Sequence, residues 1–223
     1  LSNAFHFLNK LSENNNREWF AENKEEYQST FEDLAGFADK VLAQLQQSDH
    51  IQTASGWKSL YRIYRDIRFS KDKTPFKNYY GGSFRRATAS LRGGYYYHIE
   101  QGNTFVAGGF WGPNKEDLHH IRKHLSADAQ PLREVIESQE FKNFFGSLHG
   151  EQLKTAPKGF DKEHADIDLL RYKQFIIRHD FSDEEVLSKD FHTSLANSFI
   201  KMRPFFDCMS EMLTTDLNGV PLF

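Results

Sequence analysis

Ten basic residues stand between positions 58 and 92: Lys58, Arg62, Arg65, Arg68, Lys71, Lys73, Lys77, Arg85, Arg86 and Arg92. Within that stretch they are opposed by two acids, Asp66 and Asp72, which leaves it at +8. The whole chain is at −3, so the remainder carries −11 and the protein is strongly polarised. Arginine offers a planar fork of donors that matches phosphate or carboxylate. Arg62, Arg65 and Arg68 recur at every third position; they share a face on a helical turn and alternate sides on a strand. Ser70 and Thr74 add short hydroxyl donors, and Lys71, Lys73 and Lys77 add point charges. Pro75 pushes Thr74 towards an extended backbone. A donor-rich loop stiffened in this way suits a small anion. Its candidate ligand-binding residues are Arg62, Arg65, Arg68, Ser70, Lys71, Lys73 and Lys77, with Asp66 as a candidate proton handler.

The same charges fit other roles. Asp66 could pair with Arg62, Asp72 could cap a turn, and the acidic remainder could neutralise the segment internally. Tyr61, Tyr64, Phe69, Phe76, Tyr79, Tyr80 and Phe84 are interleaved with the cations, a pattern on which bases stack while cations meet phosphates. A nucleic-acid-binding module is therefore the alternative reading, although the acidity of the chain weighs against it. Docking of an acidic protein partner is a third.

Outside this segment, His98 is the best general acid–base candidate, because imidazole titrates near neutral pH and Glu100 falls on the same side of a strand. His120 and His124 are spaced to share a metal, but Leu118, Ile121 and Leu125 define that helix's apolar face and turn both histidines to water. His164, Asp166 and Asp168 form a mixed oxygen–nitrogen set that also reads as a helix start. No metal site and no cofactor is assigned. Cys208 lies in an apolar run and reads as a small hydrophobe. The chain has no G-x-S-x-G, P-loop or G-x-G-x-x-G pattern. Gly108-Gly109 could permit close backbone approach to a ligand or mark a bulge, and Trp19 and Trp111 could line a pocket or pack.

The elements that must position these residues change period along the chain. Apolar spacing predicts a short helix over 3–11 and a long amphipathic helix over 16–47, on whose apolar face Lys24 is an exception. Asn15 and Glu18 resemble a capping box at its start. From 59 to 110 the period is two, with strands predicted over 60–64, 83–89, 95–100 and 104–110, and turns at Gly81-Gly82 and Gly93-Gly94. Asn114 caps a helix carrying Leu118, Ile121 and Leu125. Pro131 sits near the first turn of another, and Phe141, Phe144 and Phe145 mark a third. A strand over 173–180 and a last helix from Phe191 to Met202, ended or kinked by Pro204, complete the reading. Strands neighbouring in sequence and flanked by helices favour an α+β fold, mainly an antiparallel sheet with helices packed on it.

With 223 residues, one cysteine, 39% apolar and 26% charged residues, the chain reads as one globular domain over 1–223 that needs no disulfide or metal. It lacks an apolar run of membrane-spanning length and a signal-peptide plan at its start, and it reads as cytoplasmic.

Three blocks carry a family resemblance: Asn14-Asn15-Asn16-Arg17-Glu18-Trp19-Phe20, the stretch from Arg62 to Lys77, and Ala156-Pro157-Lys158-Gly159-Phe160. With Tyr95–Ile99, Gly108–Pro113 and Arg203-Pro204, they make the chain resemble the bacterial and fungal family designated domain of unknown function 2461. The resemblance spans nearly the whole chain and implies one domain. It implies no activity, cofactor or catalytic residue.

Overall fold

A computed structural model describes residues 1–222. The chain opens with α1 (Ser2–Glu13), α2 (Arg17–Glu22), α3 (Lys24–Leu45) and α4 (Gly56–Ser59). Strands β1 (Tyr80–Arg85), β2 (Gly94–Ile99) and β3 (Thr104–Phe110) follow. Helices α5 (Lys115–Ala127), α6 (Gln130–Glu137), α7 (Gln139–Phe145) and α8 (Ile167–Leu170) precede β4 (Phe175–Phe181). The chain then forms α9 (Asp183–Val186), α10 (Phe191–Lys201) and α11 (Arg203–Thr214). The strands make one antiparallel sheet in the order β1-β2-β3-β4, so neighbours in the chain are neighbours in the sheet. The fold is α+β, as the patterning predicts. Among the described residues no helix is long and apolar enough to cross a membrane.

The chain divides into two compact units. The first comprises residues 1–85, 96–106 and 180–198. Its core takes Phe7, Leu8 and Leu11 from α1 and Leu34, Ala38, Val41 and Leu45 from α3, together with Tyr80, Phe84, Tyr97 and Phe191. The predicted helix over 16–47 is two helices. Asn23 ends α2 and starts α3, and its side-chain amide donates to the Trp19 carbonyl, satisfying a terminal acceptor. No capping box starts α2. Asn16 is the cap, its side chain accepting from the Trp19 amide. Asn15 instead clamps a distant backbone: its amide donates to the Phe76 carbonyl at 3.0 Å and accepts from the Phe76 N–H at 3.1 Å.

The predicted strand over 60–64 is also corrected. Ser55 caps the one-turn α4, and Leu60 and Tyr64 make only isolated bridges, to Gly82 and Phe76. Gly81 and Gly82 lie inside β1 rather than in a turn. The reason is space, because a side-chain carbon on Gly82 would sit 2.3 Å from the Tyr97 hydroxyl.

The second unit comprises residues 86–95, 107–179 and 199–223. Asn114 caps α5, accepting from the Asp117 amide, and Pro131 lies in the first turn of α6. After α10 ends, Pro204 occupies the first turn of α11, where its missing N–H costs nothing. Helix α11 was not foreseen, yet Phe205, Phe206, Met209, Met212 and Leu213 give it a buried stripe. Gly108 and Gly109 do allow close approach, but to protein. A carbon on Gly108 would lie 2.6 Å from Met202 Sδ, and one on Gly109 would lie 2.1 Å from the Phe175 carbonyl oxygen.

Candidate functional site

The segment from Tyr61 to Lys77 doubles back on itself. The Arg65 N–H donates to the Pro75 carbonyl and the Lys77 N–H donates to the Ile63 carbonyl, with Tyr64 bridging Phe76. The turn between these arms is organised by its two aspartates. Asp66 takes Arg68 in a two-point contact, Nε at 2.9 Å and Nη2 at 2.7 Å. Asp72 accepts from the Thr74 amide and hydroxyl, both at 2.9 Å, and from Arg65 Nη1 at 2.5 Å. Arg65 Nη1 also reaches the Thr74 carbonyl and hydroxyl oxygens. Lys73 donates to the Ile67 carbonyl and Lys77 to the Arg62 carbonyl.

These contacts set the electrostatics. Hydrogen bonds from Arg68, and then the Arg62 charge, hold the exposed Asp66 carboxyl below its ordinary value. It is an ion-pair partner at neutral pH rather than a group poised to exchange protons. The Asp72 carboxyl falls to about 2, first through the Thr74 amide, then through Arg65 and the Thr74 hydroxyl. A carboxyl whose folded value lies below its unfolded value stabilises above the unfolded value, and that contribution is lost as the pH falls through the folded one. Order in the turn is therefore expected to be intact above about pH 4 and to disappear as the pH falls to about 2. Loss of hydrogen-exchange protection at the Thr74 amide over that interval is the measurement.

Arg65 lies between two cavities. The larger, about 580 Å³, is lined by Arg65, Lys77, Asp66, Asp72, Thr74, Asn78 and Tyr79, among others. Its two cations are balanced by two carboxylates. Burial, and then Arg62, lower the Lys77 pKa. The Lys77 amine lies 5.7 Å from the Tyr61 ring centre and 5.8 Å from that of Tyr79.

The smaller cavity, about 400 Å³, is lined by Arg17, Phe20, Ala21, Lys24, Tyr64, Arg65, Ile67, Pro75 and Phe76. It has three cations and no carboxylate. Arg17 and Lys24 form no ion pair among the described residues. Phe20 stacks on Phe76 at 4.0 Å and 16°, and Tyr64 packs against both, at 5.9 and 5.2 Å. The Asn15 clamp holds this aromatic wall in register, tying the Asn14–Phe20 block to the Arg62–Lys77 block.

Of the candidate ligand-binding residues, this arrangement places Arg65 and Lys77 at cavities. Arg68 is spent on Asp66, and Arg62 and Lys71 are exposed and unpaired by carboxylate. Lys73 is tied to a carbonyl, and Ser70 is half-buried in the turn. Arg86 and Arg92 are salt-bridged within the second unit, to Asp207 and Asp117. Sequence reasoning missed Arg17 and Lys24. The signal was Lys24 itself, a cation on an otherwise apolar face, four positions from Phe20 and seven from Arg17.

His98 is buried and sandwiched by Tyr79 at 4.2 Å and Phe105 at 4.7 Å. The other candidate histidines are engaged. His120 and His124 do not face water alone, since both Nε2 atoms reach the Thr215 carbonyl, at 2.8 and 3.1 Å. Asp166 and Asp168 are held by one guanidinium, Arg133, at 2.6 and 2.7 Å, and His164 accepts from the Asp166 N–H. No cluster of three metal-ligating side chains exists among the described residues. Burial, and then Glu211, push the Cys208 thiol up to about 11, the opposite of an activated thiolate. Trp19 packs on Phe7, whereas Trp111 is exposed.

Fold and site together define an α+β protein with an all-cationic, aromatic-walled cavity beside a salt-bridged turn. The family model described as conserved hypothetical protein (DUF2461) matches residues 3–208, and the chain belongs to that family. No curated protein and no solved structure matches it.

Proposed function

We propose that the protein binds a small anionic ligand with a flat apolar body, bearing phosphate or carboxylate, in the cavity between α2 and the Tyr61–Lys77 segment. One observation carries this reading: Arg17, Lys24 and Arg65 converge on an aromatic wall with no carboxylate among them, in a chain whose net charge is −3. Asp72 already meets Arg65, but Arg17 and Lys24 have no ion pair among the described residues, and like charges gathered so cost free energy that an anion offsets. Arg17 and Arg65 supply forked donors for its oxygens, Lys24 supplies a point charge, and Phe20, Tyr64 and Phe76 meet its flat part.

Calorimetric titration with phenyl phosphate and benzoate, against inorganic phosphate and benzyl alcohol, tests this. The aromatic anions are expected to bind and the other two to bind far more weakly. Arg17→Gln is expected to weaken phenyl phosphate about 10- to 100-fold, the effect of losing a charged hydrogen bond, with the thermal midpoint unchanged. Phenyl phosphate binding that is indifferent to Arg17→Gln and Lys24→Gln would refute the assignment.

A second reading rests on a different observation. Trp57, Tyr61, Tyr64 and Phe69 are 52, 44, 50 and 95% exposed, and they alternate with Lys58, Arg62 and Lys71, which have no carboxylate partner. Rings that folding leaves in water beside unpaired cations suit single-stranded nucleic acid. Oligonucleotide affinity that falls steeply with salt and is lost in Phe69→Ala supports it; affinity flat in salt excludes it.

A further inference from the structure

Three alternate residues of β2 and its end, Tyr96, His98 and Glu100, lie on one side of the strand and are joined in series. The Tyr96 hydroxyl is 3.0 Å from His98 Nδ1, and His98 Nε2 is 3.0 Å from Glu100 Oε2. Glu100 also accepts from the Asn78 side-chain amide at 2.9 Å and from that of Asn103 at 2.7 Å. An ionised carboxylate only accepts, so it fixes the proton of neutral His98 on Nε2. Nδ1 is then a lone pair, and the Tyr96 O–H donates to it. The rings of Tyr79 and Phe105, on either face of the imidazole, hold this orientation. Gly81 lies close beside the phenol, since a side-chain carbon there would lie 3.0 Å from its oxygen. The middle of the series, His98, is buried, whereas both ends are half-buried, and Tyr96 stacks on the exposed Tyr61.

We propose that Tyr96, His98 and Glu100 form a catalytic triad in which the Tyr96 oxygen is the nucleophile towards an activated ester. His98 is the general base and Glu100 its positioning residue. In the acyl step the Tyr96 oxygen adds to the ester carbonyl carbon while its proton passes to His98 Nδ1. The bond from carbon to the leaving oxygen then breaks, and the imidazolium returns the proton to the departing alcohol or phenol. Tyrosine and ester become acyl-tyrosine and alcohol, with no change of oxidation state. Glu100 stabilises the transient imidazolium, as the acid does in other carboxylate–histidine–hydroxyl arrangements. This assignment is independent of the anion-binding cavity.

The test uses p-nitrophenyl acetate on the full chain, with acetylated tyrosines located by peptide mass mapping and Tyr61, the more exposed ring, as internal reference. Tyr96 is expected to acetylate at least about tenfold faster than Tyr61, the lower range of general-base assistance being about 100-fold. His98→Gln is expected to remove that advantage while leaving Tyr61 unchanged. In His98→Gly, added imidazole is expected to restore it, which a structural role for the ring would not produce. Should the His98 variants fail to fold, Glu100→Gln serves instead, with a smaller fall at Tyr96 alone. Tyr96 labelling no faster than Tyr61, or at a rate indifferent to His98 and Glu100, overturns the proposal.

Discussion

Gly109→Ala is expected to lower stability by about 3–5 kcal/mol and the thermal midpoint by roughly 6–20 °C. Two separate causes act at this residue. Its φ is +133°, a conformation that side-chain-bearing residues rarely adopt. A side-chain carbon built there would lie 2.1 Å from the Phe175 carbonyl oxygen and 3.0 Å from the Ile176 α-carbon. Both neighbours are main chain in β4, so neither can swing aside as a flexible side chain would. The control is Gly112→Ala, three residues on, where nothing lies within 4 Å and φ is not in the positive range. That variant is expected to unfold with wild type. Thermal and urea denaturation of the pair is the measurement, and equal midpoints for Gly109→Ala and Gly112→Ala would contradict the argument.

Gly109 also shows how far the sequence could be read. The glycine pair marked a place of close approach, and the structure places one there. What approaches is β4, some sixty-five positions along the chain, and no local pattern announces a partner at that separation. The elements with strong local signals were legible: Tyr95, Tyr97 and Ile99 recur at every second position and are all buried, and Asn114 caps α5 through its own side chain. Where a local signal competed with a distant one, the distant one won. Asn15 looks like a cap within its own heptad of residues, but its amide is taken by Phe76, and the cap moves to Asn16. Leu60–Tyr64 alternates like a strand, yet it makes only isolated bridges because α4 and the tight turn at Asp66–Thr74 leave it no longer ladder.

The candidate site was half legible. The basic block was visible from charge alone, but not that Arg65 and Lys77, rather than Arg68 and Lys73, are its members lining cavities. The choice among its cations was not, because ion pairing is decided by which acid folds alongside. Asp66 and Asp72, two residues set against ten, take Arg68 and Arg65 by lying in the same turn. Arg17 and Lys24 sit about forty positions earlier and are brought to the cavity by the clamp of Asn15 on Phe76 and the packing of Phe20 on Phe76 and Tyr64.

Arg86 carries the same lesson to its energetic limit. It contributes to the charge of the basic segment, yet its side chain is fully buried in the second unit. Its guanidinium donates to Asp207 at 2.7 Å, to the Arg92 carbonyl at 3.0 Å and to the Ser210 hydroxyl at 3.4 Å, and lies 5.6 Å from the Phe206 ring centre. Asp207 is half-exposed and also accepts from Arg203 at 3.2 Å. The two partners are therefore unequal. Removing Asp207 takes the carboxylate at 2.7 Å from a fully buried guanidinium, so Asp207→Ala is expected to cost about 3–5 kcal/mol. Arg86→Met leaves a carboxylate that water and Arg203 can still serve, and fills part of the volume, so it is expected to cost about 1–3 kcal/mol, chiefly for the hydrogen bond lost at the Arg92 carbonyl, which keeps the Ser210 hydroxyl at 3.3 Å. In the double variant the guanidinium is gone, and its stability is expected to match Arg86→Met alone, so the coupling equals the whole cost of Asp207→Ala, about 3–5 kcal/mol. Urea denaturation of the four proteins measures this directly. An Asp207→Ala variant more stable than Arg86→Met would mean that water reaches the guanidinium. Arg86 would then belong with the exposed cations after all, and the charge available to a ligand would be larger than the buried geometry allows.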